Sequence, residues 1–267
     1  MILHAPKSNQ TVEIVIPDNV KKIAVSVSGG ADSTILLYIL CKHIKENNLD
    51  ITILPTTAVV LAKPIMVEGA FRVVNKIREL FNHDIDFLLD NHMFYTGLKS
   101  TEYNIRHDVT LLDEGVVDMI ISGTTTFPPE DISKKLGMWE NRPQYRAVDL
   151  NVSVHDQIDE NHTVYKPFTF VDKRFVAEMY EQFGVMDTLY PITRSCIKSF
   201  SQTRGWSKPC GKCHWCVERK WAFGSLDTER RTYIESLSHK VYSWDPVLPK
   251  DNMDQEILER KKRLAGK

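Results

Sequence analysis

The sequence predicts an α/β protein with a doubly wound, mostly parallel sheet, and three observations carry that expectation. Short β-rich apolar runs recur at 23–27, 51–55, 85–89 and 116–121. Segments with helical spacing of apolar residues lie between them. The first run also breaks at Gly29-Gly30 and resumes as a helix-like stretch, Ile35-Leu36-Leu37-Tyr38-Ile39-Leu40. Strands alternating with helices imply right-handed βαβ crossovers and parallel pairing.

Taken in order, residues 11–27 run or alternate apolar and predict one strand or a hairpin leading into the glycine turn. Ile51-Thr52-Ile53-Leu54-Pro55 predicts the second parallel strand. Residues 67–82 place Val67, Phe71, Val74, Ile77, Leu80 and Phe81 at helical spacing. Ile85-Asp86-Phe87-Leu88-Leu89 predicts the third strand. A helix over about 97–114 follows, with Gly115 in the C′ position. Val116 to Ile121 predicts the fourth strand, closed by Ser122-Gly123-Thr124, and Phe127-Pro128-Pro129-Glu130-Asp131 reads as an irregular loop. In such folds ligands sit at the carboxyl ends of strands, so Ser28–Ser33 and Gly123–Thr126 should share one rim. The tail from Asp251 to Lys267 is helix-prone and charged, with Arg260-Lys261-Lys262-Arg263 as its basic run.

Ser26-Val27-Ser28-Gly29-Gly30-Ala31-Asp32-Ser33-Thr34 has the chemistry of an anion site. The first-turn amides of a helix lack intrahelical partners, and its dipole adds roughly half a positive charge there. Glycines let the backbone close around phosphate oxygens. Ser28, Ser33 and Thr34 add hydroxyls, and Asp32 adds a carboxylate suited to phosphate-bound magnesium. The loop lacks the Walker lysine and does not fit G-x-G-x-x-G.

Cys196, Cys210, Cys213 and Cys216 follow a Cys-x13-Cys-x2-Cys-x2-Cys order, with Gly211 allowing a sharp turn. The knuckle brings three thiolates to one ion, and Cys196 can close a tetrahedral, structural four-cysteine zinc site. An iron–sulfur cluster, two disulfides and a site including His214 are the alternatives. Cys41, on the apolar helix after the glycine turn, reads as a core residue.

The 267 residues suffice for one large core with a small appendage. Hydrophobic content of 42% beside 26% charged residues is ordinary for a globular chain, and a net charge of −1 gives no overall pull toward nucleic acid or anionic membrane. Met1–Gln10 has no apolar core of signal-peptide length, and no run approaches a membrane span. A cytoplasmic protein in a reducing compartment is expected.

The Ser-Gly-Gly-x-Asp-Ser element resembles the pyrophosphate loop of the ATP pyrophosphatase (PP-loop) superfamily, which cleaves ATP to AMP and pyrophosphate. Further along come Tyr165-Lys166-Pro167-Phe168, Asp172-Lys173, Thr193-Arg194-Ser195-Cys196 and Cys210-Gly211-Lys212-Cys213-His214-Trp215-Cys216-Val217-Glu218-Arg219. With the loop, these look like the 7-cyano-7-deazaguanine synthase family. The match covers residues 23–40 and 164–223.

The resemblance implies an adenine nucleotide alpha hydrolase-like fold, with a nucleotide-binding domain over 1–190, a zinc module over 191–225 and a helical tail over 226–267. It implies an ATP-dependent carbon–nitrogen ligase of queuosine biosynthesis that adenylates a carboxylate on a deazapurine, with ATP as substrate, magnesium as helper and structural zinc. Ammonia displaces AMP to give an amide, which a second activation turns into a nitrile. Asp32, Ser33 and Lys173 are the expected catalytic residues. Ser26, Ser28, Gly29, Gly30, Thr34, Gly123 and Arg219 join them around the nucleotide. Arg219 has an equal claim as a brace for the cysteine knuckle.

The middle of the chain departs from the family. Where those enzymes carry an aspartate and a Tyr-Pro-Asp-Cys-Arg-like stretch, this sequence reads Gly123 to Asp131 without cysteine or arginine. Thr124, Phe127, Glu130 and Asp131 are the substrate-facing candidates there. Phe127 would stack on a flat ring and a carboxylate would bind an amino-pyrimidine edge. The expected partners are a small-molecule acid and ammonia, without nucleic acid or membrane; a homodimer is compatible with the family. An RNA-modifying sulfur transferase of the same superfamily, a ligase for another acid and a nonenzymatic nucleotide sensor are the competing readings.

Overall fold

A six-stranded sheet of order β5-β4-β3-β6-β8-β7 forms the centre of the computed structural model. The structure describes residues 1–60, 65–85, 88–89, 93–97, 109–141, 153–157, 160–199 and 201–227. These lie in one compact unit, Met1–Glu229; Arg230–Lys267, with the basic run at 260–263, lie outside the described residues.

The parallel core of the sheet is β3 (Lys22–Ser26), β4 (Thr52–Val60), β5 (Met93–Gly97), β6 (Met119–Ser122) and β8 (Thr163–Tyr165), and β7 (His155–Gln157) pairs antiparallel at one edge. Ile23, Ala24 and Val25 are wholly buried because β3 is covered on both faces. Its crossover helix α1 (Ala31–Glu46) packs Ile35, Leu36, Leu37, Ile39, Leu40 and Cys41 into the core. Helix α2 (Ile65–Leu80) forms where expected but turns a partly different face inward: Ala70, Val73, Val74 and Ile77 are buried, whereas Phe71, read as part of the apolar face, is exposed. The chain steps from β3 to β4 and β5 on one side and returns to β6 on the other. The strand order therefore reverses between β3 and β6, where open α/β sheets form a ligand crevice.

Several expectations shift. The 11–27 segment divides: β1 (Ile2–Ala5) and β2 (Gln10–Glu13) make a separate antiparallel hairpin, and β3 alone enters the sheet. Of the third strand expected over 85–89, Asp86 and Phe87 lie outside the described residues, and Ile85, Leu88 and Leu89 form no ladder. Residues 81–85 form turns, and Leu89 makes only a single bridge to Ile53. The ladder is taken up at 93–97 because β4 runs on to Val60 and needs a partner for Thr56 to Val60. Residue 97 is therefore strand, and the helix expected over 97–114 is described only at 109–113. Glu130 and Asp131 lie in the first turn of a short helix, α3 (Glu130–Lys135), rather than in a loop.

Candidate active site

The glycine turn lies at the switch point. Ser26 ends β3 in register with Ser122 of β6 and Thr56 of β4. Gly30 is the N-cap of α1 and makes no side-chain cap bond, so the helix opens with its amides uncommitted to a side chain of its own cap. Gly29 has φ +74, and a Cβ there would meet the Gly69 carbonyl carbon at 2.5 Å. Gly123 is needed for the same reason of space: a Cβ would come within 2.9 Å of the Asp32 carbonyl oxygen. The loop is thus held between the backbones of α2 and the β6 exit.

Hydroxyls organise the turn from inside. The Ser28 amide donates to Ser33 Oγ at 3.2 Å, the Gly30 amide donates to Ser28 Oγ at 3.3 Å, and the two serine oxygens lie 3.2 Å apart. Thr34 Oγ1 donates to the Gly30 carbonyl at 2.7 Å. Thr34 is fully buried and serves the turn rather than an open rim. The Arg194 amide reaches across to donate to the Gly29 carbonyl at 2.8 Å.

Lys173 comes to this site as the first residue of helix α4 (Lys173–Gln182), whose N-cap Asp172 accepts from the Arg174 amide at 2.9 Å. Its Nζ lies 3.1 Å from Asp32 Oδ2 and 3.3 Å from Glu218 Oε2, with the Trp215 ring 5.9 Å away. Lys173 is 3% exposed. Asp32 keeps its other oxygen, Oδ1, buried and without a partner among the described residues. An orphaned carboxylate oxygen suits a hard divalent cation such as magnesium.

The four cysteines converge as their spacing requires. Cys196, Cys210, Cys213 and Cys216 have sulfurs all within 4.8 Å of one another, and all four are free thiols. Cys210 and Cys216 sulfurs are 3.9 Å apart, close to the roughly 3.8 Å separation on a tetrahedral ion with 2.3 Å bonds. The Cys210 amide donates to Cys196 Sγ, and the Cys213 amide donates to Cys210 Sγ. The donor set fits one metal. Helix α5 (His214–Phe223) springs from Cys213 as its N-cap, and His214 packs against Trp215 outside the sulfur group.

Two expectations are corrected. Arg219 is not a phosphate ligand: it is 0% exposed, and its donors are spent internally. It donates to the Tyr190 hydroxyl at 3.1 Å, the Tyr190 carbonyl at 3.3 Å, Thr193 Oγ1 at 2.9 Å and Ser195 Oγ at 3.2 Å, and pairs with Asp227 at 3.1 Å. Asp227 also takes the Ser195 and Cys196 amides, so the pair braces the cysteine module. Phe127 is 1% exposed, so no face is open for stacking on a ligand. Thr124 is half-buried at the β6 exit, its Oγ1 3.3 Å from Ser122 Oγ. Asp131 is exposed, and Glu130 is exposed and ion-paired with Lys134. Motif reading missed Glu218, which sits inside the knuckle helix with no signal that it faces Lys173.

No protein-family model matches the chain. Among solved structures, the U34-tRNA thiolase NcsA from Methanococcus maripaludis, described with its 4Fe-4S cluster, overlaps with TM-score 0.40 and 15% identity, covering 79% of this chain and 72% of that one. An NAD+ synthetase from Burkholderia pseudomallei overlaps with TM-score 0.35 and 11% identity, covering 86% and 83%. Overlaps this loose add nothing to the assignment. A 7-cyano-7-deazaguanine synthase from Clostridium novyi (strain NT) is 25% identical over 220 residues, 76% of this chain and 93% of that protein. The likeness seen in the motifs is thus matched by a similarity to that synthase over three-quarters of the sequence.

Proposed function

We propose that the protein adenylates a carboxylate on a deazapurine-like small molecule, releasing pyrophosphate, and that ammonia then displaces AMP to give an amide; a nitrile product takes a second ATP, which adenylates the amide oxygen so that it leaves with AMP as the nitrogen loses its protons. The observation that carries this reading is the buried Lys173–Asp32 pair set against the amides of the glycine turn. It joins a buried positive charge to an anion cradle, and the similarity to a named synthase points the same way.

A carboxylate is a poor electrophile because its oxygen leaves badly. Attack of that oxygen on the α-phosphorus forms the acyl–adenylate bond, breaks the bond to the β-phosphate and expels pyrophosphate. Ammonia then attacks the carbonyl carbon, AMP departs, and the nitrogen loses a proton. The chain's part is alignment and charge neutralisation. The amides of Gly29, Gly30 and Ser33, with the Ser28 and Ser33 hydroxyls, receive the pyrophosphate in this reading. Ser26 and Gly123 shape the walls, and Lys173 leans from Asp32 onto the departing charge as a point cation. Magnesium, held by Asp32, would screen the phosphate oxygens. Thr124, Glu130 and Asp131, near the β6 exit, remain the candidates for reading the acid.

Zinc is our choice for the four sulfurs, in a closed structural role. We read 1–190 as the nucleotide domain, 191–225 as the zinc module and 226–267 as a tail. Among the described residues no helix is long and apolar enough to cross a membrane.

The test is pyrophosphate release by zinc-loaded protein given ATP, magnesium, ammonium and 7-carboxy-7-deazaguanine, with mass spectrometry of the product. A nitrile or amide mass supports the reading. Absence of turnover with bound ATP would overturn this acceptor and leave the nucleotide site standing.

A further inference from the structure

The ammonium of Lys173 is shared by two elements that no motif connects. Asp32 belongs to the phosphate turn. Glu218 stands on α5, two residues beyond the metal-site sulfur of Cys216, and is itself 0% exposed. A buried ammonium is costly unless carboxylates surround it, and a buried carboxylate cannot relax into water when its partner moves. Glu218 is therefore a fixed post, while Asp32, with 19% of its side chain exposed, faces the open side. A second tie runs in parallel: the Arg194 amide holds the Gly29 carbonyl, two residues before the sulfur of Cys196. The sulfur cluster thus touches the phosphate turn through Cys216–Glu218–Lys173–Asp32 and through Cys196–Arg194–Gly29.

We propose that Glu218 is a positioning residue of the nucleotide site, holding Lys173 so that metal retention at the four cysteines and anion binding at the glycine turn are one coupled equilibrium. The proposal rests on reading the turn as a nucleotide site. By linkage, what binds the turn must tighten the metal, and loss of the metal must weaken the turn by the same factor; here that tightening is assigned to slower release of the metal. When Lys173 leans toward a phosphate, its bond to Asp32 gives way and its bond to Glu218 persists. The ammonium is thereby kept at the loop instead of swinging into solvent.

The experiment follows zinc release from the full chain to a chromogenic chelator, with and without MgATP at a saturation fixed by calorimetry. Bound MgATP slows release from the wild type by about fivefold or more. In Glu218→Gln, still folded and zinc-loaded, the slowing falls below about twofold at saturation. Glu218→Asp restores part of it. The double variant Lys173→Met/Glu218→Met removes the ammonium together with its wholly buried carboxylate, leaving Asp32, whose side chain is 19% exposed, as the remaining charge. It too releases zinc at a rate indifferent to MgATP. Undiminished protection in either neutral variant overturns the proposal, as does a wild-type release rate that ignores saturating MgATP.

Hydrogen exchange over residues 28–34 reads the same link without nucleotide. It quickens in Glu218→Gln with zinc bound, and an unchanged loop overturns the role. Neither readout needs an acceptor. Intact coupling without ligase turnover would support Glu218's role and fault the functional reading alone.

Discussion

Gly29 and Gly69 meet backbone to backbone, so closely that a Cβ on Gly29 would lie 2.5 Å from the Gly69 carbonyl carbon and 2.7 Å from the Ala70 nitrogen. Neither neighbour can step aside, because both belong to the main chain of α2. Gly29→Ala therefore adds a steric clash to the cost of a positive φ, together about 2–4 kcal/mol. Gly115→Ala, at φ +65 with nothing within 4 Å, carries only the backbone cost of about 1 kcal/mol. Urea midpoints of the two variants check the difference. Equal losses would mean that α2 does not press on the turn.

Asp32→Ala and Ser33→Ala act on the chemistry. The first removes the exposed-side partner of Lys173 and the orphaned Oδ1; the second removes the acceptor of the Ser28 amide. Each is expected to lower acceptor-dependent pyrophosphate release by about a hundredfold or more. Turnover within a few-fold of wild type would overturn the placement of pyrophosphate at this turn.

Arg219→Lys tests the brace. A lysine has one head where the guanidinium serves Tyr190, Thr193, Ser195 and Asp227. Asp227 would be left poorly paired in a dry site, at a cost of about 3 kcal/mol. Denaturation should show that loss, and zinc should leave faster than from the wild type. Unchanged stability would overturn the brace.

Cysteine reactivity separates the core thiol from the cluster. Burial pushes the Cys41 thiol up to about 12. A raised thiol pKa means the neutral form persists as pH rises, so only about one molecule in a thousand is thiolate at pH 9. Iodoacetamide between pH 7 and 9 should leave Cys41 unlabelled. Chelation should expose Cys196, Cys210, Cys213 and Cys216 together, since they share one site. Labelling of Cys41 in the folded, metal-loaded protein would contradict its burial.

What could be read from the residues was local. The β3–turn–α1 unit, the spacing of α2 and the cysteine knuckle each declare themselves within a few residues, through periodicity or ligand spacing. Strand β5 did not. Ile85, Leu88 and Leu89 are buried as a strand's residues would be, yet Ile85 and Leu88 lie in turns and Leu89 makes an isolated bridge, and the edge of the sheet is set by how far β4 extends. Nor did Arg219 and Glu218, neighbours in sequence with opposite partners. Asp227 claims one and Lys173 the other, and nothing in their local pattern names those partners. Phe127, between turn residues and prolines, gave no sign that the core would take it.

The order of the strands has a consequence for the birth of the protein on the ribosome. The phosphate turn is synthesised early, but Gly123 closes its back, Lys173 supplies its charge, and Arg194 and Glu218 arrive later still. A nascent chain or proteolytic fragment ending before β8 carries the whole turn sequence without its lysine or its tie to the sulfur cluster. On the proposed reading of the turn, nucleotide chemistry is thereby withheld from incomplete chains until the cysteine knuckle has been made.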